Sequence, residues 1–583
     1  MLFAKMKYFN LVLALFIASN SALTISPGVA QDNPKPAERY SVDYGPMIST
    51  LKEELPGLMD KSNVPGLAIA IVDGERLVWA DGFGYTDRSN QIKVTADTLF
   101  SLQSISKTYT ATGFLRAVDK GWLKLDDPLV KYMPKFTVKS RFGKQEAKKI
   151  TFRHLLSHWS GLPHEAPCGN GCEDRDCPFA DHIRSISESW LKFPVGKYYS
   201  YSNLGLDLVG YVLQLRSRKT FEQFMKEEVF GPLEMTSSTF SQKETAAYPS
   251  FALGNTKDKT LPVTPIPMIP SGGMYSTVKD MAKFVSFHLA GGRVNGKQII
   301  RENLLREMYT PQFAIEGQLG GYGLGIASWP WWRDGVTVFN HRGGGSGYSS
   351  IQTWIREYQI GVVVLTNSSQ GGAITDTVAN RVFGLMVKAK AGSLPPFKGF
   401  KFTDKPAVSV DTQLLRRLEG TYKPQGNLVS FKVQDGSLFY VGGPNAEKLN
   451  ALGETEFTSR IRKFKFYLDE SGKPIGVQDL TFWGVEFLPI NDQPGEQMGP
   501  NKPEWQKLPG EYSNNLSIDN NRTSVSIKNG YLYLNWGGDL KLTEYKPGLF
   551  FTADGEAVII QGDRISLGAC GYKTFVKEES TKP

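Results

Sequence analysis

The chain has 583 residues, of which 40% are hydrophobic, 12% aromatic and 21% charged. That is too many rings and too little charge for a disordered chain, and at ~150 residues per domain the length allows about four units. The net charge of +9 includes Lys5 and Lys7 of the first thirty residues, and no run of five like charges occurs anywhere, which excludes a clustered nucleic-acid-binding stripe and leaves at most a weak attraction to anionic cell-envelope polymers.

Lys5 and Lys7 precede an apolar run from Tyr8 to Ala18, and Gly28-Val29-Ala30 follows as a small-x-small exit. Basic start, short apolar stretch and small-residue end predict a secretory signal peptide over residues 1–30. The run is short for a bilayer span, and no later stretch approaches 18 uninterrupted apolar residues. The expectation is an extracytoplasmic protein without stable membrane insertion.

Residues 31–46 are polar and contain proline, which predicts a linker. From Gly66, the segment GLAIAIVDGERLVWADGFGY places apolar runs on both sides of Asp73-Gly74, a hairpin signal. A helix is expected from about Ser104 to Val118, stopped by Gly121 with Pro128 and Pro134 beyond. Cys168, Cys172 and Cys177 crowd one loop and Cys570 stands alone. In an oxidising compartment these predict disulfides, and four cysteines allow three connectivities. Two disulfides would require Cys570 to bond back to the loop. Zinc is the alternative, with His164 or His182, but C-x3-C-x4-C is a poor spacing for it. A second apolar pair, SSIQTWI and IGVVVLTN, spans 349–367 and is followed by a helix containing Ala379 to Ala389. Strands at both ends with helices between predict an α/β (α+β) domain over 47–392.

Residues 393–410 read as a second linker. Beyond them come short β-like segments broken by DG, GG and NG turns, with no convincing helix. Leu418-Glu419-Gly420-Thr421-Tyr422 matches Leu508-Pro509-Gly510-Glu511-Tyr512, and Asp435-Gly436-Ser437-Leu438-Phe439 matches Asn529-Gly530-Tyr531-Leu532-Tyr533. The repeat predicts two small all-β barrels, 411–491 and 505–583, joined by a linker at 492–504.

Three motifs carry chemistry. Ser104-Ile105-Ser106-Lys107 is one of four S-x-x-K sequences, the others starting at Ser49, Ser189 and Ser276. It alone enters a helix after an apolar segment. Positions i and i+3 share a helix face, so the amine reaches the hydroxyl and can take its proton. A helix N-terminus adds partial positive charge that favours the developing alkoxide. Tyr201-Ser202-Asn203 lies in a Gly/Tyr-rich loop entering a helix; a tyrosine there can relay protons and an asparagine can orient a substrate amide. His341-Arg342-Gly343 is the only H-x-G in the chain and begins HRGGGSGY, where glycines let a substrate lie along a strand. His158 in HWSGLP reads as structural.

In order and context these residues resemble the β-lactamase-related serine hydrolases, the class C β-lactamase and penicillin-recognising group. The similarity runs over about residues 50–390 and includes LFSLQSISKTYTATGFLRAVDKGWLKLDDPLVKYMP, FRHLLSHWSGLP, VGKYYSYSNLGLDLVG, PSGGMYSTVKDMAKF and YGLGIA. It implies an antiparallel sheet flanked by helices with a helical subdomain. It also implies Ser104 as acylated nucleophile, Lys107 as its proton partner and Tyr201 as a further acid and base. Asn203, His341 and Gly343 would contact substrate, and the Ser104 amide with Gly345 or Tyr348 would form the oxyanion hole. No metal or cofactor is implied. The chain has no K-T-G; the H-x-G form is similar to the esterase and D-stereospecific aminopeptidase branches, and the second of these also appends two barrels. The expectation is a serine hydrolase for small amides, peptides or esters. A D-alanyl-D-alanine carboxypeptidase or weak β-lactamase, and a non-catalytic muropeptide sensor, are the alternatives.

Overall fold

A computed structural model describes residues 42–578 apart from 90–91, 170–176, 264–265, 316, 332–334, 396–405, 424–428, 443–445, 460–461, 482–485, 490–498, 515–521, 537 and 569–572. The expected signal peptide, Cys172 and Cys570 lie outside the described residues. Helix α1 (Gly45–Lys61) leads into strands β1 (Gly66–Asp73) and β2 (Arg76–Gly84). Asp73 pairs with Arg76 across a two-residue turn whose Gly74 has φ +59°, the left-handed conformation that glycine adopts without steric cost. Strands β3 (Gly321–Tyr322), β4 (Ala327–Pro330), β5 (Thr337–Gly345), β6 (Tyr348–Ile355) and β7 (Ile360–Thr366) complete one antiparallel sheet in the order β2-β1-β7-β6-β5-β4-β3. Termini of the domain therefore meet in the sheet centre, where β1 pairs with β7.

Both central strands are buried along their length, which accounts for their continuous apolar runs. One face carries Ala68, Ala70, Val72, Val363 and Leu365 against Met281, Phe284 and Val285 of helix α4 (Val278–Leu289). Alternate residues Leu67, Ile69, Val362 and Val364 are buried on the opposite face, against α1 and helix α5 (Gly372–Ala391). Helix α2 (Ser106–Asp119) is buried on nearly every side, as a helix at a domain centre must be. It packs on helix α3 (Asn203–Ser217).

Two nine-stranded antiparallel sheets follow. In the first, the edge strands Glu447–Lys448 and Asn450–Ala451 are separated by Leu449 alone; in the second, Asp539–Lys541 and Thr543–Lys546 are separated by Leu542 alone. Edges one residue apart require each sheet to curl round upon itself. The repeat in the sequence is a structural repeat: Tyr422 Oη donates to Leu418 O at 3.0 Å and Tyr512 Oη to Leu508 O at 2.6 Å. Asp435-Gly436 and Asn529-Gly530 both turn at positive φ, as two-residue hairpins require. One expectation needs correction. Each barrel is entered through a short helical segment, Thr412–Leu418 and Pro503–Lys507, where the sequence shows no convincing helix, segments this short carrying too little periodicity to stand out.

The barrels dock on separate parts of the first domain. Leu319 N donates to Leu480 O of the first barrel at 2.8 Å. In the second, Lys192 Nζ reaches Glu556 at 2.5 Å and Asp554 at 4.0 Å, with Lys192 only 4% exposed; Arg141 lies 3.9 Å over the Phe551 ring. Removing one partner of a buried ion pair leaves the other charge uncompensated. Glu556→Ala is therefore expected to cost ~3 kcal/mol, read as a lowered urea midpoint for the second barrel. An unchanged midpoint would show that this docking contact is not made in solution.

Candidate active site

Ser104 is set by the turn before α2. Phe100–Ser101 pairs with Tyr275–Ser276, Leu102 N donates to Met274 O at 2.9 Å, and Gln103 takes φ +51°. Residues Gln103–Ile105 form a 3-10 turn that runs directly into α2 at Ser106, so the expected helical stretch is present and Ser104 lies in its opening 3-10 turn. Ser106 Oγ donates to Gln103 O at 2.6 Å and accepts from Met274 N at 3.0 Å, pinning the turn.

Lys107 has no exposed surface. Its Nζ donates to Ser104 Oγ at 3.0 Å and to Ser271 O at 2.8 Å, and lies 4.9 Å from the centroid of the Tyr201 ring. Ser104, Lys107 and Tyr201 are thus brought together across almost a hundred residues of sequence.

The Tyr201 triplet is clamped by the loop after residue 157. Ser200 N donates to His158 O at 2.7 Å, Ser202 N to His158 Nδ1 at 3.1 Å, Ser202 Oγ to Pro163 O at 2.6 Å and Asn203 N to His164 O at 3.1 Å. The His158 ring packs on Tyr201 at 4.2 Å and Tyr322 at 4.7 Å. Burial, with Lys107, His341 and His164 nearby, holds His158 well below the ordinary histidine range. It is neutral, and its acceptor Nδ1 fixes the Tyr201-Ser202 backbone. Asn203 Nδ2 donates to Glu165 Oε1 at 2.7 Å and approaches Met268 Sδ at 3.5 Å. With those donors committed, Oδ1 is the end of the amide left to accept. Burial pushes Glu165 upward, but His164, His182 and Asn203 outweigh it and hold the carboxyl below its usual range.

His341 lies on β5, buried. Its Nδ1 donates to Arg342 O at 2.7 Å and its Nε2 lies 2.8 Å from Tyr322 Oη. Burial, then Lys107, depresses it to about 3, so the ring is neutral and Tyr322 is the donor. Gly343 is where the Ser104 turn crosses the sheet: a Cβ there would lie 2.0 Å from Leu102 O. Gly345 approaches the Gln103 side chain. Tyr348 points elsewhere, its hydroxyl donating to Ala252 O at 2.8 Å.

The register decides which strand amide faces outward. Gly345 pairs with Tyr348 across Ser346 and Gly347, so a two-residue turn bonds that pair and turns the Gly345 N–H toward β6. Alternation then directs the Gly344 N–H to the other edge of β5. Pro330, opposite Thr337 on β4, agrees, since proline can occupy only a non-bonded site there. Beyond Asn340, β4 no longer covers β5, so the Gly344 amide lies on an unpaired edge. Tyr322, Glu165 and Gly344 were not singled out by sequence. Tyr322 stood in the quoted YGLGIA fragment; Glu165 carried no signal.

Among the described residues Cys168 is disulfide-bonded to Cys177, one of the pairings the loop allowed. Among the described residues no His/Cys/Asp/Glu cluster suits a metal ion.

A family model for β-lactamase matches residues 51–383, more than half of the chain. The chain belongs to the β-lactamase family. That is a family of serine hydrolases and acyl-transferring enzymes. Beta-lactamase-like protein 4 of Dictyostelium discoideum is 28% identical over 344 residues, 54% of this chain and 59% of that protein. Protein flp of Staphylococcus aureus is 26% identical over 236 residues, 40% of this chain and 47% of that one. The match therefore spans less than two thirds of either relative. Among solved structures, the octameric penicillin-binding protein homologue of Pyrococcus abyssi superposes with TM-score 0.51 at 23% identity, covering 76% of this chain and 99% of that one. SurE bound to D-Leu gives 0.52 at 18%, covering 76% and 100%. Both are likenesses of fold.

Four histidines are held neutral by burial: His341 and His288 near 3, His154 near 4 and His158 well below its ordinary value. Each folded pKa lies below the unfolded one, so each contributes stability present above about 6.5 that is lost as pH falls toward the folded value, by up to ~1.4 kcal/mol per pH unit. His182 alone shifts upward and opposes this. Thermal melting at pH 7.5 and 5.0 is expected to give the lower Tm at 5.0; an equal or higher Tm there would overturn the burial assignment.

Proposed function

We propose that this protein is a serine hydrolase that forms an acyl-enzyme on Ser104 and acts outside the cytoplasm on small amide, peptide or ester substrates. The observation that carries the reading is the 3.0 Å contact between Ser104 Oγ and a fully buried Lys107 Nζ. A hydroxyl and an amine so placed are a nucleophile and its base. Extracytoplasmic action draws support from the leader-like first thirty residues and from the Cys168–Cys177 disulfide, a bond of oxidising compartments.

Ser104 Oγ attacks the substrate carbonyl carbon as its proton passes to the Lys107 amine. The oxyanion accepts hydrogen bonds from the amides of Ser104 and Gly344. Collapse of the intermediate breaks the bond to the leaving amine or alkoxide, which takes the proton through Lys107 and Tyr201. Water then attacks the ester carbonyl, gives its proton to the same base and frees the acid, restoring Ser104.

Asn203 favours substrates that offer an N–H, because its amide oxygen is the end left free to accept. His341 argues against the cell-wall carboxypeptidase and β-lactamase readings: it is neutral and both ring nitrogens are engaged, so it offers no cation to a substrate carboxylate. A D-amino-acid peptide or amide without a required carboxylate fits better.

Two experiments test this. A fluorophosphonate probe should label the purified protein, with fluoride leaving as the Ser104–phosphorus bond forms. Labelling should vanish in Ser104→Ala and fall at least ~10²-fold in Lys107→Met, the range of a lost general base; a fluorescent penicillin should not label. Persistent labelling of Ser104→Ala would remove the acyl-enzyme, and penicillin labelling would restore the cell-wall reading. Separately, Asn203→Leu should lose roughly 10-fold more kcat/KM on an amide than on the matched ester, the ~1.4 kcal/mol of one hydrogen bond. Equal losses would deny Asn203 the substrate N–H.

A further inference from the structure

Behind Lys107 runs a hydrogen-bonded line that the reaction above does not use. Ser271 O accepts from Lys107 Nζ at 2.8 Å, and Ser271 N donates to Asp207 Oδ1 at 3.0 Å. Asp207 Oδ2 lies 3.0 Å from His182 Nε2, and His182 Nδ1 lies 2.7 Å from Cys168 O, beside the disulfide. His182 and Asp207 have no exposed surface. The Cys168 carbonyl only accepts, so His182 Nδ1 carries hydrogen, and Nε2 with Asp207 Oδ2 completes a buried hydrogen-bonded pair.

The Ser271 segment is fixed on both sides. Thr110 Oγ1, on α2 one turn beyond Lys107, donates to Pro270 O at 2.6 Å. Gly210 on α3 meets Pro270 so closely that a Cβ would lie 2.2 Å from its Cγ. Asp207 also stands one helical turn after Asn203, so α3 carries a proposed substrate contact and this anchor on one face.

Resting on the acyl-enzyme reading, we propose that His182 and Asp207 are positioning residues: they hold the Ser271 peptide so that its carbonyl aims Lys107 at Ser104, and they tie that aim to the disulfide loop. Neither touches substrate. His182 is shifted upward, burial being outweighed by Asp207, the Cys168 carbonyl and Glu165. Such a buried pair is no strong source of stability in itself, and apolar residues of similar volume commonly replace one without loss. Its retention in this place is accounted for by what Asp207 Oδ1 does for Ser271.

That difference supplies the test. The double variant His182→Leu/Asp207→Leu removes the pair and the acceptor for Ser271 N–H together, while Asp207→Asn keeps an oxygen for that N–H. The fluorophosphonate labelling rate of Ser104 should fall ~10- to 100-fold in the double variant, the scale of a small misplacement at a reacting centre, with Tm within a few degrees of the parent. Asp207→Asn should retain the rate within about 3-fold, a rescue that a merely structural role does not predict. Parent-like labelling by the folded double variant, or an equal loss in Asp207→Asn, overturns the proposal. Should the double variant fail to fold, Asp207→Asn still decides. Hydrogen exchange of the peptide spanning 268–274 provides a readout independent of activity: it should be protected in the parent and in Asp207→Asn, and fast exchange in the parent overturns the proposal. If the parent itself is not labelled, the acyl-enzyme reading fails while exchange still judges the line from Asp207 to Ser271.

Discussion

The site is organised around a buried lysine. Taking an ammonium or amine out of water costs free energy unless its hydrogens are satisfied, and for Lys107 the acceptors are Ser104 Oγ and Ser271 O, with the face of Tyr201 on a third side. No ion pair to Lys107 exists among the described residues. A lysine held by neutral dipoles has its geometry set by whatever fixes those dipoles. That requirement explains why α2 lies in the domain centre, and why its polar residues Thr108 and Thr110 donate to backbone carbonyls at 325 and 270 where apolar packing alone would have filled the space. It explains too why residues 100–106 are pinned by so many short contacts to 274–276.

The walls around that lysine come from separate stretches of chain, and the two barrels are fastened to segments adjoining two of them. The first barrel bonds Leu319, just ahead of Tyr322, the donor to His341. The second grips Lys192 and Trp190, ahead of the segment that carries Tyr201. Interfaces of this kind can move unless anchored by substantial burial. At the second barrel a buried charge pair and edge-to-face rings do the anchoring. Among the described residues, the appended modules thus contact segments that adjoin the proposed site and contribute no side chain to the Ser104, Lys107 and Tyr201 cluster.

What could be read from sequence followed the reach of each signal. The S-x-x-K spacing is local, so Lys107 finding Ser104 was legible; so were the hairpin at Asp73-Gly74 and the duplicated barrels, whose turns need positive φ. The helical stretch from about Ser104 was legible too; its opening 3-10 turn was not told apart from the α-helix that follows because the two share nearly the same residue preferences. Tyr322, Glu165 and Asp207 were invisible for another reason. Each acts on a partner tens of residues away, through a contact created by packing of elements that no periodicity reveals. His158, expected to be structural, hydrogen-bonds the backbone beside Tyr201, which only the fold brings near.

The exchange of a lysine for His341 at the third motif acquires a physical meaning from its surroundings. A lysine there would present a fixed charge; a histidine could present one only if protonated. The surroundings disfavour this: burial depresses His341 to about 3, and with both ring nitrogens engaged by Arg342 O and Tyr322 Oη neither is turned to a substrate. The neighbouring Arg342 pairs with Asp376 at 2.9 Å and lies over Trp329. The strand therefore offers substrate its backbone and little charge, while Asn203 offers an acceptor steadied by the Glu165 carboxylate. In the proposed reading, recognition built from an acceptor and a bare strand edge would favour N–H groups and extended backbone, the features of a short peptide, over an anion that must be neutralised.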